Sequence, residues 1–490
     1  MTATPSDSTA PDLSISASGA VPGRNRLVLG VLLVATFVTV LNETLLSVAL
    51  PTLIHDFRIT AATAQWLNTG FLLTSAVVIP VTGFLLQRLT TRTVFILAMA
   101  LFSAGTLLAV LAPGFSVLLI ARIVQAGGTA MMLPLLMSTA MTLVTPESRG
   151  RIMGNVSIVI SVAPAIGPTV SGLILNALSW RFLFIIVLPI AVAALILGAL
   201  RMTNVTVTRN APLDVVSVIL SAFAFSGLLY GLSNIGERAS GSHQTVSPPI
   251  PITVGVVALA AFILRQHHVI SRPNGAPLLD LRAFSSRTFS ISIGMIAISC
   301  LALFGSLIIL PIYMQTVLGL NTLTIGLLLL PGGIIQGVLA PFVGRLYDRI
   351  GPTVILITGS VLVSAGLWGM AVFLEQDTPA HVIPIVHIIL SIGLAFTFTP
   401  LFTSALGAVR PELYSHGSAI VSTVQQLAAG IGTALFVTLL STGAATKIAH
   451  GVTGTAATAG GVHTAFLAGA VISLLPIVAG FFVRRAPIVE

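Results

Sequence analysis

The chain has 490 residues, of which 56% are hydrophobic and only 7% carry a charge. Soluble globular proteins are roughly 45–50% apolar and about 25% charged, so the composition excludes a soluble enzyme and a disordered chain. The net charge is +9, from 22 Lys and Arg against 13 Asp and Glu. The basic residues stand singly or in pairs between apolar stretches, which is typical of orientation in a membrane rather than of nucleic-acid binding.

Fourteen stretches are long and apolar enough to cross a bilayer, since a helical span needs roughly 20 mainly apolar residues. The predicted spans are 27–49, 64–86, 93–112, 115–137, 150–175, 180–200, 213–235, 250–267, 288–312, 322–346, 353–374, 380–407, 415–440 and 462–484. We therefore predict an all-α membrane protein with 14 transmembrane helices.

The distribution of basic residues predicts the orientation of these spans. With the amino terminus in the cytoplasm, 17 of the 22 basic residues lie on the cytoplasmic side and only Arg58, Arg181, Arg238 and Lys447 lie outside. The remaining one, Arg122, is inside a span. Because Lys and Arg are enriched in cytoplasmic loops, we expect a multi-pass protein of the cytoplasmic membrane with both termini in the cytoplasm.

A weak internal repeat predicts the domain organisation. Gly83-Phe-Leu-Leu-Gln-Arg-Leu-Thr-Thr-Arg92 follows the second span and Gly344-Arg-Leu-Tyr-Asp-Arg-Ile-Gly-Pro-Thr353 follows the tenth. Duplicated halves around a central cavity are common in transporters, although two short Gly/Arg loops can also match by coincidence. The predicted units are a disordered tail 1–26, a six-helix bundle 27–200, a linker 201–287 with two extra spans, a second six-helix bundle 288–484 and a tail 485–490.

Two ionisable residues inside the spans carry the sharpest functional signal. Glu43 in the first span and Arg122 in the fourth both lie about seven residues from the outer end, on the order of 10 Å deep at 1.5 Å per residue. A charge at the centre of a span costs about 2.5–3.5 kcal/mol, so we expect the two residues to be partners. Glu43 is then a candidate proton carrier; the alternative is a static ion pair that joins two helices.

Three further ionisable residues are candidates for coupling or gating. His387 in the twelfth span and Asp214 at the start of the seventh are candidate secondary titrating groups, with a packing histidine and a helix-terminal aspartate as the alternatives. Asp348, between Arg345 and Arg349, predicts a charge network that holds a cytoplasmic gate closed; the alternative is topogenic charge alone.

Other residues are candidates for helix packing and substrate contact. Gly167, Pro168 and Gly172 in the fifth span predict close helix approach and a bend. The candidates for substrate contact, each of which is also compatible with a core or lipid-facing role, are Asn42, Trp66, Asn68, Gln125, Phe304, Gln336, Phe398 and Gln425.

The sequence lacks the motifs of other functional classes. No phosphate-binding loop, no Cys/His metal spacing and no Ser/His/Asp grouping occurs in the spans. We therefore expect a protein that is not an enzyme, holds no cofactor or metal, and is driven by the proton motive force rather than by ATP.

Several motifs in order along the chain resemble the major facilitator superfamily, and within it the 14-span drug:proton antiporter family. They include Leu41-Asn-Glu-Thr-Leu-Leu-Ser-Val-Ala-Leu-Pro51, Arg122-Ile-Val-Gln-Ala-Gly127, Gly167-Pro-Thr-Val-Ser-Gly172 and the loop motif 344–351. The resemblance implies the major facilitator fold, with two six-helix bundles plus two extra central helices. It also implies gating roles for Gly83, Arg88, Arg92, Gly344, Arg345, Asp348 and Arg349.

The chain departs from this pattern at two places. Many members have Asp where this chain has Asn42, so the adjacent Glu43 becomes the candidate acid. The first loop motif has Gln87 and Thr90 in place of its usual Asp and Gly, which argues against an ionic gate there. Some relatives that export dications carry an additional acid in the tenth span, and this chain has none there, which favours neutral, zwitterionic or monocationic amphiphiles over dications.

The resemblance implies a monomeric proton-coupled antiporter that exports amphiphilic drugs or toxic small molecules by alternating access. Its expected partners are the small-molecule substrate, protons and the lipid bilayer, with no nucleic acid. The alternatives are an exporter of an endogenous amino acid, peptide or lipid precursor, and a passive facilitator.

Overall fold

The computed structural model describes residues 23–205, 208, 212–239, 249–272, 275–452 and 454–484, and its long regular elements are all helices. The helices are α1 (Gly23–Phe57), α2 (Ala61–Arg88), α3 (Thr91–Val110), α4 (Phe115–Leu143), α5 (Arg149–Ala177), α6 (Phe182–Arg201), α7 (Val215–Ala239), α8 (Pro249–Ile270), α9 (Arg287–Thr316), α10 (Thr322–Ile350), α11 (Pro352–Phe373), α12 (Val382–Gly407), α13 (Tyr414–Ala449), α14 (Gly454–Ile472) and α15 (Leu474–Gly480).

Fourteen helical segments within the described residues are long and apolar enough to cross a membrane, and α14 and α15 together form the last of them. The predicted number of spans is therefore confirmed. The helix α1 begins at Gly23, so the last four residues of the predicted tail 1–26 are helical. The rest of that tail and the tail 485–490 lie outside the described residues.

The last predicted span, 462–484, begins too late. The helix α14 starts at Gly454, eight residues earlier, and α13 continues to Ala449. A hydropathy window ends where Gly, Thr and Ala replace the larger apolar residues. Alanine nevertheless has the highest helix propensity, so the helices extend beyond the apolar windows.

The helices form two bundles that meet along two seams. The helices α1–α6 pack on one another, as do α9–α14, and the bundles touch where α5 lies against α10 and α2 lies against α13. We call the end of the molecule at which α1 begins the arginine-rich end, since Arg88, Arg149 and Arg345 lie there. This arrangement confirms the predicted fold class of two six-helix bundles plus two extra helices.

Glycines allow the α5/α10 seam to close tightly. A Cβ atom on Gly150 would overlap the carbonyl oxygen of Gly344, and a Cβ on Gly344 would overlap that of Gly150. A Cβ on Gly154 would lie 2.6 Å from the carbonyl oxygen of Ala340. Small residues let membrane helices approach backbone to backbone, where dispersion contacts stabilise the pair. The seam is therefore intolerant of larger side chains at its arginine-rich end.

The two additional helices cover the other seam. The helix α7 packs on both α2 and α13. Phe225 and Leu229 of α7 form an apolar cluster with Ala76 of α2, and Leu427 of α13 packs against it. Because α7 touches both bundles, the extra pair bridges the two halves of the protein on one side only.

A buried glutamine fixes the chain that returns from α8 to the second bundle. The Gln266 side chain is 0% exposed; its Oε1 accepts hydrogen bonds from the backbone N–H groups of Leu278 (2.8 Å) and Leu279 (3.2 Å). Its Nε2 donates to Ser217 Oγ of α7 at 2.7 Å. One side chain thus satisfies two buried backbone donors and joins α7, α8 and the segment after them.

We expect Gln266→Leu to lower the thermal midpoint of the purified protein by several degrees. The change leaves the N–H groups of Leu278 and Leu279 without an acceptor, and each unsatisfied buried group costs about 1–3 kcal/mol. Gln376→Leu is the matched control, because Gln376 makes one exposed hydrogen bond to Thr455 Oγ1. Equal midpoints for the two variants, measured by intrinsic fluorescence, would contradict this role of Gln266.

Candidate functional site

The first bundle contains a buried arginine held by uncharged groups. Arg122 on α4 is only 1% exposed. Its Nη1 donates to Asn42 Oδ1 of α1 at 3.2 Å and to Gln125 Oε1 at 3.1 Å. Its guanidinium carbon lies 4.3 Å from the centre of the Phe71 ring on α2, and Gln125 Nε2 donates to Thr106 Oγ1 on α3 at 2.8 Å. Four helices therefore converge on one guanidinium.

These contacts are sufficient to hold the arginine in place. Inserting its charge into a span costs about 2.5–3.5 kcal/mol. Each hydrogen bond to a charged group returns roughly 1.5–3 kcal/mol, and a desolvated cation–π contact about 2 kcal/mol. Arg122 is therefore stable in this pocket without a direct ion pair, although its Nε has no hydrogen-bond partner.

Glu43 lies beside this network but does not join it directly. No ion pair within 4 Å and no hydrogen bond engages its carboxylate among the described residues. Consecutive residues of an α-helix point about 100° apart, and of these two neighbours it is Asn42 that bonds to Arg122. The two charges still interact electrostatically, and Glu43 is half-buried. We expected a direct contact between Glu43 and Arg122. The structure instead has Arg122 bonded to Asn42, the residue next to Glu43.

The residue after Glu43 is held by α5. A Cβ atom on Gly167 would overlap Thr44 Oγ1, and Ser171 Oγ donates to the carbonyl oxygen of Leu45 at 2.7 Å. The predicted close approach is therefore found at Gly167. It is wrong for Gly172, whose Cβ position has no atom within 4 Å, and Pro168 is exposed. Glu43 is positioned between α4 on one side and α5 on the other.

The arginine-rich end is closed by contacts between the two bundles. The Asp348 carboxylate on α10 accepts hydrogen bonds from the backbone N–H groups of Gly150 (2.8 Å) and Arg151 (2.9 Å). These donors belong to the first turn of α5, where backbone N–H groups lack helical acceptors and the helix dipole favours a negative charge. Arg149 Nη2 also donates to Tyr414 Oη at 2.8 Å. A carboxylate of one half thus caps a helix of the other.

The related contact at the first loop motif is uncharged. Gln87 Nε2 on α2 donates to the carbonyl oxygen of Glu412, just before α13, at 3.3 Å. Gly83 faces Ala419 of α13, where an added Cβ would lie 3.0 Å from the alanine methyl. The contact at the first loop motif is thus neutral, as the departure at Gln87 suggested, whereas those made by Asp348 and Arg149 each involve a charged side chain.

The remaining gating candidates differ in their contacts. Arg92 Nη2 donates to the carbonyl oxygen of Ala199 on α6, inside its own bundle. The Arg345 guanidinium lies over the Phe342 ring at 4.8 Å. Arg88 lies at the end of α2 and Arg349 is exposed at the end of α10. These arginines are at the arginine-rich end, but the cross-bundle hydrogen bonds described above come from Asp348, Arg149 and Gln87.

The substrate candidates do not lie in one place. Asn42 and Gln125 belong to the arginine network, and Phe398 is buried in the core, stacked on Phe402 at 5.6 Å between ring centres. Trp66 is 43% exposed and stacks on Tyr230 at 5.9 Å, in an apolar groove of about 470 Å³ between α2, α7 and α8. The groove lies at the periphery of the molecule, away from Arg122.

Two other candidates carry unpaired polar atoms. Gln336 Nε2 on α10 and Gln425 Oε1 on α13 are buried without a hydrogen-bond partner. Phe304 and Asn68 are half-buried. Together with Asn42, whose Nδ2 also lacks a partner, the two glutamines are the described candidates with polar groups left for a substrate.

The two secondary titrating candidates have different surroundings. His387 is buried on α12 and its Nδ1 has no partner. Hydrogen bonds from Arg265, at 2.9 and 3.1 Å, hold the pKa of the Asp214 carboxyl below its usual range, although partial burial opposes the shift. Asp214 therefore remains ionised at neutral pH, which argues against a proton-carrying role.

Sequence reasoning missed Phe71, Thr106 and Gly150. Phe71 and Thr106 are uncharged, so only their depth in the second and third spans could have indicated that they belong to the Arg122 network. Gly150 is the first residue of the predicted fifth span, in the first turn of α5, and no feature of the sequence indicated that an aspartate of another helix caps it.

Comparisons with known proteins agree with this geometry. The sequence profile of the Major Facilitator Superfamily matches residues 32–433. The chain is 39% identical over 464 residues to the lincomycin resistance protein LmrB of Bacillus subtilis, covering 93% of this chain and 95% of the relative. It is 38% identical over 468 residues to the MFS-type transporter YcnB of the same species, covering 95% and 96%.

The fold is also that of solved transporters. The crystal structure of the human organic anion transporter MFSD10 superposes with a TM-score of 0.68 at 14% identity, covering 93% of this chain and 99% of that one. At this low sequence identity, the structural likeness supports the fold alone. The chain belongs to the major facilitator superfamily and is a multi-pass membrane transporter, not an enzyme.

Proposed function

We propose that this transporter is a proton-coupled antiporter that exports amphiphilic drugs or toxic small molecules. The observation that carries the proposal is the position of Glu43, a half-buried carboxylate one residue from the asparagine that holds Arg122. The lincomycin resistance named for a relative at 39% identity supports export of such compounds.

Glu43 is suited to bind and release a proton because it influences Arg122 without being locked to it. Burial favours the neutral acid and the nearby guanidinium favours the carboxylate, so its protonation responds to changes in water access. A static ion pair, the alternative reading of these two residues, would need a direct contact. Asn42 makes that contact instead.

Proton binding changes the charge balance around Arg122. When Glu43 is ionised, the two charges offset each other inside the first bundle. When Glu43 is protonated, Arg122 keeps only neutral partners, and the conformation in which its site is hydrated becomes more favourable. A proton thus shifts the population between two arrangements of the bundles, which is what coupling requires.

The seams provide the moving parts. The Asp348 carboxylate and the first turn of α5 hold the bundles together at the arginine-rich end. Rocking of one bundle against the other opens this end and closes the opposite one, as in alternating access.

Orientation and substrate class complete the proposal. The arginine-rich end faces the cytoplasm, so both termini are cytoplasmic and the protein lies in the cytoplasmic membrane. The substrate is a neutral, zwitterionic or monocationic amphiphile, the protein acts as a monomer, and the proton motive force drives it without a cofactor.

We expect Glu43→Gln to abolish gradient-driven transport. Glutamine retains the size and hydrogen-bonding capacity of the side chain but cannot exchange a proton. In proteoliposomes with an imposed pH gradient, accumulation of lincomycin or ethidium should fall to the level seen without a gradient, while downhill exchange of the same probe persists.

Glu375→Gln serves as the control, because Glu375 is an exposed acid in the loop between α11 and α12. That variant should transport as the unmodified protein does. Full drug resistance in cells that carry Glu43→Gln at normal membrane levels would contradict the proposal. A passive facilitator would instead show no gradient-driven accumulation in the unmodified protein.

We expect Asp348→Asn to open the arginine-rich end more often. The amide offers a single acceptor where the carboxylate takes two N–H groups, so one charge-assisted hydrogen bond of about 1.5–3 kcal/mol is lost. Each 1.4 kcal/mol corresponds to a tenfold change in an equilibrium, which predicts a population shift of about tenfold or more.

A single cysteine reports this shift. Cys300 is buried and can be replaced by Ser, and Ser422→Cys places a thiol in a buried position on α13, one turn from Ala419 at the seam. A water-soluble maleimide should label it faster in Asp348→Asn than in the parent. Unchanged labelling would show that Asp348 does not hold the gate.

A further inference from the structure

The turns that precede α5 and α13 are related by the internal repeat. Each is a short 3-10 turn that begins with Pro-Glu, at Pro146–Ser148 and at Pro411–Leu413. Pro146 and Pro411 are 265 positions apart, and so are Arg122 and His387 in the preceding helices α4 and α12. The repeat therefore places His387 at the position in the second bundle that Arg122 occupies in the first.

A second pair of helices gives the same correspondence. Gly83 and Gly344, which begin the two loop motifs, are 261 positions apart, as are Phe71 on α2 and Gly332 on α10. Phe71 is the residue against which the Arg122 guanidinium packs. Gly332 is the residue that faces His387, since an added Cβ would overlap the ring at Nδ1. The two bundles thus carry equivalent sites, with a large ring beside Arg122 and no side chain beside His387.

The site around His387 contains polar atoms without a hydrogen-bond partner among the residues that the structure describes. His387 is 8% exposed and Gln336, one turn from Gly332 on α10, is 4% exposed. His387 Nδ1 and Gln336 Nε2 both lack hydrogen-bond partners. The Ser391 hydroxyl, one turn along α12, lies 2.7 Å from the Cβ position of Gly332. Each unsatisfied buried group costs about 1–3 kcal/mol, so the two unpaired atoms of His387 and Gln336 beside the Ser391 hydroxyl are not explained by packing alone.

No charged group of the surrounding helices compensates the ring. Four of the helices that pack against α12 carry charged residues: α5, α9, α10 and α13. All of these charges lie near helix ends, at Arg149, Arg151, Arg287, Arg345, Asp348, Arg349 and Lys447. The helix α11 has none. Of the other titratable groups of these helices, Cys300 adjoins Gln425 and Tyr313 donates to the Glu375 carbonyl. Tyr347, Tyr414 and His416 lie at the arginine-rich end, and none of these groups interacts with His387 in the described structure.

Close packing also limits what the site can hold. Gly332 leaves no room for a side chain between α10 and the imidazole ring, so a drug-sized ligand does not fit there. A proton needs no such room. Burial disfavours an imidazolium ion that has no counter-charge. The ring is therefore neutral while α10 and α12 are packed as seen, and it takes up a proton in an arrangement of these helices that lets water reach it.

We propose that His387, with Gln336 and Ser391 beside it, is a second proton-binding site in the second bundle, equivalent by repeat to the Arg122 site in the first. It deepens the proposed antiport function. His387 lies five residues from the start of α12, towards the end of the bundle away from the arginine-rich end. Its protonation therefore stabilises the arrangement in which that far end is open to water and the arginine-rich end is closed. Lower pH favours closure of the arginine-rich end, since the protonated ring is excluded from the packed state.

The experiment uses histidine-labelled full-length protein in nanodiscs. In ¹⁵N NMR spectra, the resonance that is missing from His387→Gln should change from neutral to protonated imidazole as the pH falls from about 8 to about 5. Over the same range, maleimide labelling of Ser422→Cys, in the Cys300→Ser and Glu43→Gln background, should fall several-fold relative to labelling of the same thiol in the added presence of His387→Gln at the same pH. This ratio cancels the pH dependence of thiolate reactivity.

Two further variants isolate the response. All proteins used for maleimide labelling also carry His416→Gln. The His416 ring lies beside Gly83 at the seam, and this substitution ensures that a pH response does not come from that ring. His463→Gln is the matched control: it is another histidine within a span, but its Nδ1 is already bonded to the Ala371 carbonyl oxygen at 3.1 Å.

His463→Gln should leave this relative fall in labelling unchanged. A His387 ring that stays neutral down to about pH 5, or a labelling ratio between the His387 and His387→Gln proteins that does not change with pH, would overturn the second site. Either result leaves the role of Glu43 intact, since that role is tested by gradient-driven transport.

Discussion

The structure depends on a positive charge enclosed by apolar helices. Arg122 needs compensation wherever it lies in a membrane, and α1, α2, α3 and α4 each contribute to it through Asn42, Phe71, Thr106 and Gln125. This requirement fixes the relative rotation of the four helices, because a helix turned by one residue would point a different side chain at the guanidinium. It also places Glu43 at a fixed offset from the charge.

The same physical logic explains the gate. Helix ends carry unsatisfied backbone groups, and the first turn of α5 would be exposed to water if the bundles separated. Asp348 caps those N–H groups from the opposite bundle, so closure replaces solvation by a charge-assisted contact. The free-energy difference between the two is small, which suits the opening and closing that we propose for this end. The one-sided cover of α7 over the α2/α13 seam makes the two seams unequal.

Much of this architecture was predictable from the sequence. Hydropathy found all 14 spans because the bilayer imposes their length, and the cost of buried charge singled out Glu43 and Arg122. The direct contact between them was not predictable in detail, since Asn42 and Glu43 are adjacent and only the rotation of α1 decides which one faces α4. Trp66 and Phe398 were indistinguishable from cavity-lining residues, because aromatic side chains occur alike in cores and grooves. The start of α14 at Gly454 was missed because small residues extend helices without raising hydropathy.

The central claim is that the carboxyl group at position 43 changes its ionisation as the transporter works. Infrared difference spectroscopy of the purified protein, with Glu43→Gln to assign the carboxyl band, measures this directly. The account predicts that the protonated carboxyl band of Glu43 disappears as the pH is raised between about 5 and 9. A carboxyl that keeps one ionisation state across that range would contradict the mechanism.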